Sequence, residues 1–226
     1  MAHTDAMDAS ASPPSSVAHH WDALYRGTLP EERPWYEASP SRSLEAIVDV
    51  AAWVDSPIVD VGGGDARLVD LLIERGYRNI TLVDIAGTGL QIARTRLGAA
   101  ASVVDWVQDD VGAPFEAGTA LPWARAPFAV WHDRAVFHFL TSSASQQAYL
   151  SRVRASVAHG GHVILSAFDA SGPETCGGLP VVRRTLEALS HILSEDFDLV
   201  SAGRFRHRTP AGVEQPFVCC GWQRVA

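Results

Sequence analysis

Ile58-Val59-Asp60-Val61-Gly62-Gly63-Gly64-Asp65-Ala66 is a short β-branched run that ends in an acid and then a glycine-rich turn. Arg67-Leu68-Val69-Asp70-Leu71-Leu72 follows, with apolar residues at helical spacing. Strand, tight turn and helix together bring backbone close to a nucleotide-like ligand at a helix N-terminus. Glycine permits this because it has no Cβ at the point of approach and accepts backbone angles that other residues avoid. The stretch reads as the floor of a ligand site.

Upstream, Leu44, Ile47, Val48 and Ala51 recur at helical spacing and predict a helix over Ser43–Trp53. Aromatics gather further upstream, in His19-His20-Trp21-Asp22-Ala23-Leu24-Tyr25 and Pro34-Trp35-Tyr36. Residues of about 18–42 therefore read as a segment that either anchors to the domain or closes over the site as a lid. Residues 1–17, rich in Ala, Ser and Pro without periodicity, read as a disordered tail.

Downstream, the helix after the turn runs to Arg75 and stops at Gly76. Asn79–Asp84 predicts a second strand, again ending in an acid, and a helix follows to Leu97. Ser102–Val107 predicts a third strand, leading into Gln108-Asp109-Asp110-Val111. The fourth, Phe128–Trp131, is followed by His132-Asp133-Arg134 and the apolar run Ala135–Leu140. A helix over about Ser143–Ala158, closed by Gly160-Gly161, precedes a fifth strand over His162–Phe168. A loop through Cys176-Gly177-Gly178-Leu179-Pro180 leads to a helix with Leu186, Leu189 and Ile192. Two late strands, Phe197–Arg206 and Phe217–Gln223, form a hairpin-like pair. The alternation predicts one α/β domain over residues 18–226, an open sheet with helices on both faces.

Composition narrows the class of protein. A chain of 226 residues with 47% hydrophobic content can bury a sizeable core. A net charge of −8 gives no reason to expect nucleic acid or an anionic membrane as partner. No apolar run approaches a membrane span and no signal-peptide pattern opens the chain, so a cytoplasmic protein is expected. Three cysteines, two of them adjacent, make neither a disulfide framework nor a zinc site.

Ligands bind beyond the carboxyl ends of the strands in such a sheet, and the acids fall there: Asp60, Asp84, Asp109 and Asp110. Asp84 lies about 20 residues past the glycine turn, the distance at which a carboxylate accepts from both hydroxyls of a ribose. A dinucleotide fingerprint fails at Arg67, and no phosphate-loop sequence is present. Asp60 and Asp65 flank the turn, which suits an amino group better than a pyrophosphate. The residues describe a site for a nucleoside with a cationic tail.

Val59-Asp60-Val61-Gly62-Gly63-Gly64-Asp65-Ala66 resembles the first motif of class I S-adenosylmethionine-dependent methyltransferases, with Ala66 where a third glycine is commonest. Asp84 matches the ribose-binding acid, Ile85 is placed to pack on adenine, and Asp110-Val111 matches the motif that reads the adenine edge. Asp109 stands beside them, and either acid of the pair fits the reading role. Phe128–Leu140 resembles the family's fourth motif and following helix, and Gly160-Gly161-His162-Val163-Ile164-Leu165 resembles its fifth strand. The resemblance implies a Rossmann-like seven-stranded sheet, mostly parallel with an antiparallel last strand, and S-adenosylmethionine as cofactor. It implies cofactor contacts from Asp60, Gly62, Gly63 and Gly64 and from the backbone of His132. Trp21, Trp35 and Tyr36 would close over it, where a cation–π contact with the sulfonium is available.

Methyl transfer from a sulfonium needs an aligned nucleophile, and a base only if the acceptor arrives protonated. His132 is the candidate base, with strand capping as the alternative. Asp133 would bind an amino group or orient the acceptor, or else pair with Arg134. His207 is placed to reach the mouth of the site, Cys176 to sit in an acceptor loop, and His138 to be a core histidine. A small-molecule acceptor with an N, O or S nucleophile is expected, with a protein lysine or a non-catalytic binding role as alternatives.

Overall fold

The computed structural model describes residues 16–116 and 118–225. Most of the expected tail over 1–17 lies outside the described residues, and Ser16 and Val17 belong to the first helix. The elements are α1 (Ser16–Gly27), α2 (Ser41–Val50), β1 (Ile58–Val61), α3 (Leu68–Glu74), β2 (Ile80–Asp84), α4 (Gly87–Leu97) and β3 (Val104–Gln108). They continue with β4 (Phe128–Arg134), α5 (Ser143–Ser156), β5 (Val157–Phe168), β6 (Thr175–Cys176), β7 (Leu179–Pro180), α6 (Leu186–Ser190), β8 (Phe197–Arg208) and β9 (Glu214–Arg224).

Seven strands form one sheet in the order β3-β2-β1-β4-β5-β9-β8. All pairs from β3 to β5 are parallel, and β9 runs antiparallel between β5 and β8. The strand order reverses between β1 and β4, the place where an open α/β sheet leaves a crevice.

Alternation along the strands sorts the core into two layers. Val59, Val61, Trp131 and Leu165 face α5 and α6, with Tyr149, Val153 and Leu189. Ile58, Leu82, Val130 and Ile164 face α2, α3 and α4, with Ile47, Val69 and Leu90. Helices thus cover both faces, which is why the central strands are apolar at nearly every position.

Several expected boundaries shift. β4 continues through His132 and Asp133, because Asp60 and Val61 of β1 extend the ladder to them. α5 stops at Ser156, and Val157 turns extended to pair with Phe128. Gly160-Gly161 therefore lies inside β5, beside a register shift, instead of closing the helix. His207 lies within β8 and Cys176 in the β6–β7 hairpin. Ala135 to Leu140 is a single 3-10 turn over Phe137–Phe139, not a helix. The turn is forced by Ala135, which has a positive φ of 74°, and by the Asp133 carboxylate, which accepts from the Val136 N–H at 2.8 Å and the Phe137 N–H at 3.1 Å.

That carboxylate is also bound by the Tyr149 hydroxyl at 2.7 Å, which in turn accepts from the Trp131 indole N–H at 2.8 Å. Tyr149→Phe breaks this buried chain and leaves two polar groups short of a partner. It is expected to cost about 1–3 kcal/mol, read as a lower urea midpoint with an unchanged slope. An unchanged midpoint would remove the chain from the stability of the fold.

Candidate active site

The strand ends converge on a cavity of about 320 Å³, within the range of small-ligand sites. Its floor is the β1–α3 turn. Gly62 and Gly64 take positive φ angles of 68° and 46°, so a side chain at either is strained before contacts are counted. A Cβ on Gly64 would meet the Tyr25 hydroxyl, which α1 lays against the turn beside Asp84. Gly63 packs under Leu82 and the Asp60 carboxylate.

Asp84 closes β2 at 7% exposure, and its Oδ1 accepts from the Ala86 N–H at 2.8 Å. Burial raises its pKa from the ordinary 3.8 to about 7, against the lowering effect of hydrogen bonds from Ala86 and Gly64 and with added repulsion from Asp65 and Asp60. Ile85, Asp109, Asp110 and Val111 line the same end of the cavity. Asp109 is held by the Trp123 indole N–H at 2.8 Å, and Asp110 by the Gly112 N–H at 2.9 Å. Both acids therefore keep fixed orientations.

At the crevice, β1 and β4 place Asp60 and His132 directly opposite one another. Neighbouring partners in a parallel pair share a face, so the two side chains meet. His132 Nδ1 lies 2.7 Å from Asp60 Oδ1, and His132 Nε2 lies 3.0 Å from Ser43 Oγ on α2. With the carboxylate holding the proton on Nδ1, Nε2 accepts from the Ser43 hydroxyl. His132, Asp60 and Ser43 all line the cavity.

Asp133, one residue on, points to the other face and is buried under α5. It binds Tyr149 and the turn that follows β4, and it does not line the cavity. An acceptor-binding role and a pair with Arg134 are both corrected by this alternation. Burial raises Asp133 to about 6, against the hydrogen bond from Tyr149.

The N-terminal segment roofs the cavity. Trp21, Trp35 and Tyr36 line it, and Trp21 meets Trp35 and Phe139 edge-to-face at centroid distances of 5.5 and 5.0 Å. Arg33, 2% exposed, pairs with Asp65 and also bonds the carbonyls of Tyr25 and Thr28. Asp65 is thereby committed to the roof and not open to a ligand's amino group.

His207 does not line the cavity. Its Nε2–H donates to the Pro34 carbonyl at 2.7 Å, and its Nδ1 lies 3.3 Å from Glu37, so it positions the roof from behind. Cys176 lines the cavity as a thiol, since burial pushes its pKa up to about 11. His138 is fully buried and neutral: burial, then the charges of Arg184 and Arg134, press its pKa down to about 3.

Residues 58–161, the span from β1 into β5, match the methyltransferase domain family. The matched span carries a methyltransferase domain. A search of curated proteins by sequence gives no match. Among solved structures, one described under conversion of a disulfide bond into a thioacetal group during echinomycin biosynthesis is similar over 92% of this chain and 93% of that one, at 18% identity and a TM-score of 0.71. The N-methyltransferase NodS from Bradyrhizobium japonicum WM9, in complex with S-adenosyl-L-homocysteine, aligns over 90% of this chain and 99% of that one, at 15% identity and a TM-score of 0.64. The 1,6-didemethyltoxoflavin-N1-methyltransferase of Burkholderia thailandensis aligns over 97% and 94%, at 20% identity and a TM-score of 0.63. At these identities the likeness concerns the fold.

Sequence reasoning did not single out Tyr25, Arg33, Glu37 or Ser43 as site residues of this methyltransferase. The aromatic spacing before Trp35 hinted at the first, but nothing local distinguishes Ser43 from any other helix serine.

The raised Asp84 pKa has a sign. Its folded form binds a proton more tightly than the unfolded chain, so its contribution to stability falls as pH rises from 3.8 to about 7. Asp84→Asn is expected to flatten the fall in urea midpoint between pH 4 and pH 7. An unchanged pH profile would show that Asp84 titrates as an ordinary surface acid.

Proposed function

We propose that this methyltransferase lays S-adenosylmethionine along the cavity and transfers its methyl to a small-molecule nucleophile under the aromatic roof. The observation that carries the reading is the enclosure of a 320 Å³ cavity by Trp21, Trp35 and Tyr36 above a glycine turn flanked by buried acids. Ile85 and Asp110-Val111 would hold the adenine, Asp84 the ribose, and the turn from Gly62 to Gly64 the methionine part. The neighbour from Burkholderia thailandensis, solved with 1,6-didemethyltoxoflavin and S-adenosylhomocysteine bound, supports a compact acceptor.

The cofactor supplies an electrophilic methyl group, and the protein supplies alignment. His132 is the group that takes a proton from an acceptor N–H, O–H or S–H. Asp60 fixes its tautomer and stabilises the imidazolium that forms, while Ser43 holds the ring from the other side. The roof excludes water and presents aromatic faces to the sulfonium.

Two measurements test this reading. Asp84→Ala should weaken S-adenosylhomocysteine binding by tenfold or more in calorimetry; unchanged affinity removes the ribose assignment. With labelled S-adenosylmethionine and fractionated extract, the methyl should appear in metabolites, and label confined to protein would replace the small acceptor with a protein one. On the acceptor so found, His132→Gln should lower kcat by about 10²–10⁴-fold with cofactor affinity within threefold, and full activity would dismiss the base.

A further inference from the structure

The far end of the cavity differs in charge from the nucleoside end. Asp84, Asp109 and Asp110 line one end, and Arg134 and Glu37 the other. Arg134 closes β4, lines the cavity and donates through Nη1 to the Trp35 carbonyl at 3.2 Å. Its Nη2 lies 3.4 Å from Glu37 Oε1, close enough for attraction but making no hydrogen bond, and that nitrogen is buried without a partner.

Glu37 is not Arg134's alone. The same carboxylate oxygen lies 3.3 Å from His207 Nδ1. The other ring nitrogen donates to the Pro34 carbonyl, so Nδ1 is the nitrogen that faces Glu37. Arg42 acts on Glu37 as well. Burial alone would raise Glu37, yet the His207 hydrogen bond and the charges of Arg134, His207 and Arg42 hold it below the ordinary carboxylate range. One carboxylate thus faces two guanidinium groups and an imidazole. Elsewhere along the cavity Asp60 is taken by His132 and Asp65 by Arg33. Glu37 is thus shared between Arg134 and His207, and Arg134 Nη2 keeps an open donor beside it.

The walls around it are flat and apolar. Trp35, Ala135, Phe139, Cys176 and Phe217 form one cluster, and the Arg134 guanidinium stacks over the Phe217 ring at 5.5 Å. This cluster lies on the β5–β9 side of Arg134, away from the β2 and β3 ends that carry the nucleoside acids. A buried guanidinium with an open donor in aromatic walls is suited to a planar carboxylate, which it can bind in a bidentate fork.

Building on the methyl-transfer reading above, we infer that the acceptor is a planar, mainly apolar molecule bearing a carboxylate, and that Arg134 is the residue that reads this group. Glu37 holds the place of that carboxylate at a longer distance and yields it to the acceptor. The interaction orients the acceptor, while His132 remains the proton acceptor.

The test uses the full-length protein saturated with S-adenosylhomocysteine and, as probe pair, indole-3-carboxylate and its carboxamide in calorimetry. The carboxylate is expected to bind at least tenfold more tightly than the amide, and Arg134→Met to erase the preference. Glu37→Gln, which removes the competing charge, is expected to tighten carboxylate binding severalfold; it carries the test on its own if Arg134→Met does not fold. Equal binding of carboxylate and amide by the wild type, or a preference that survives Arg134→Met, overturns the inference. So does weakened S-adenosylhomocysteine binding in Arg134→Met with 5′-methylthioadenosine unaffected, because the guanidinium then reads the cofactor's own carboxylate. Retained S-adenosylhomocysteine binding in every variant keeps a failure here separate from a failure of the methyltransferase reading.

Discussion

The register between β1 and β4 sets what the cavity can contain. Because Asp60 stands opposite His132, a carboxylate and an imidazole are brought within hydrogen-bonding distance by the sheet itself. A shift of one residue would send each side chain through the sheet to the other face. Asp133 shows the alternative outcome: it is the next residue in the chain, yet it serves the core under α5. Neither side chain is held by a mobile loop, and backbone hydrogen bonds on both edges of the two strands fix the geometry.

Electrostatics along the cavity follow from how each buried acid is satisfied. Burying a carboxylate is costly unless donors or cations surround it. Asp60 is answered by His132, Asp65 by Arg33, and Asp109 by the Trp123 indole. Asp84 is answered mainly by backbone N–H groups, which offset only part of the cost of burial, so burial still raises its proton affinity. The acidic end and the cationic end at Arg134 lie on opposite sides of the crevice, a polarity that matches a nucleoside on one side and an anion on the other.

Much of the fold was legible because its signals are local. The glycine turn, the strand-end acids and the alternation of strands with helices need only a few neighbouring residues, and they pointed to the open sheet and to the methyltransferase domain. Strand lengths were less legible: β4 and β5 outrun their apolar cores because pairing with β1 and with Phe128 draws in His132 and Gly160. The partners of the acids were not legible at all. Ser43 lies 89 positions from His132 and Pro34 lies 173 from His207, and no spacing rule connects them.

The first helix has two footholds. On one side Asp22 accepts from the Thr88 N–H at the start of α4, and Arg26 donates to the Thr88 hydroxyl. On the other, His20 bonds the Gly177 carbonyl in the β6–β7 hairpin, and Trp21 packs on the same glycine. A rigid lever pinned at both ends cannot release one without straining the other. Any displacement of this helix on the α4 side strains its contacts with the hairpin as well, so the helix ties the two sides of the cavity together mechanically.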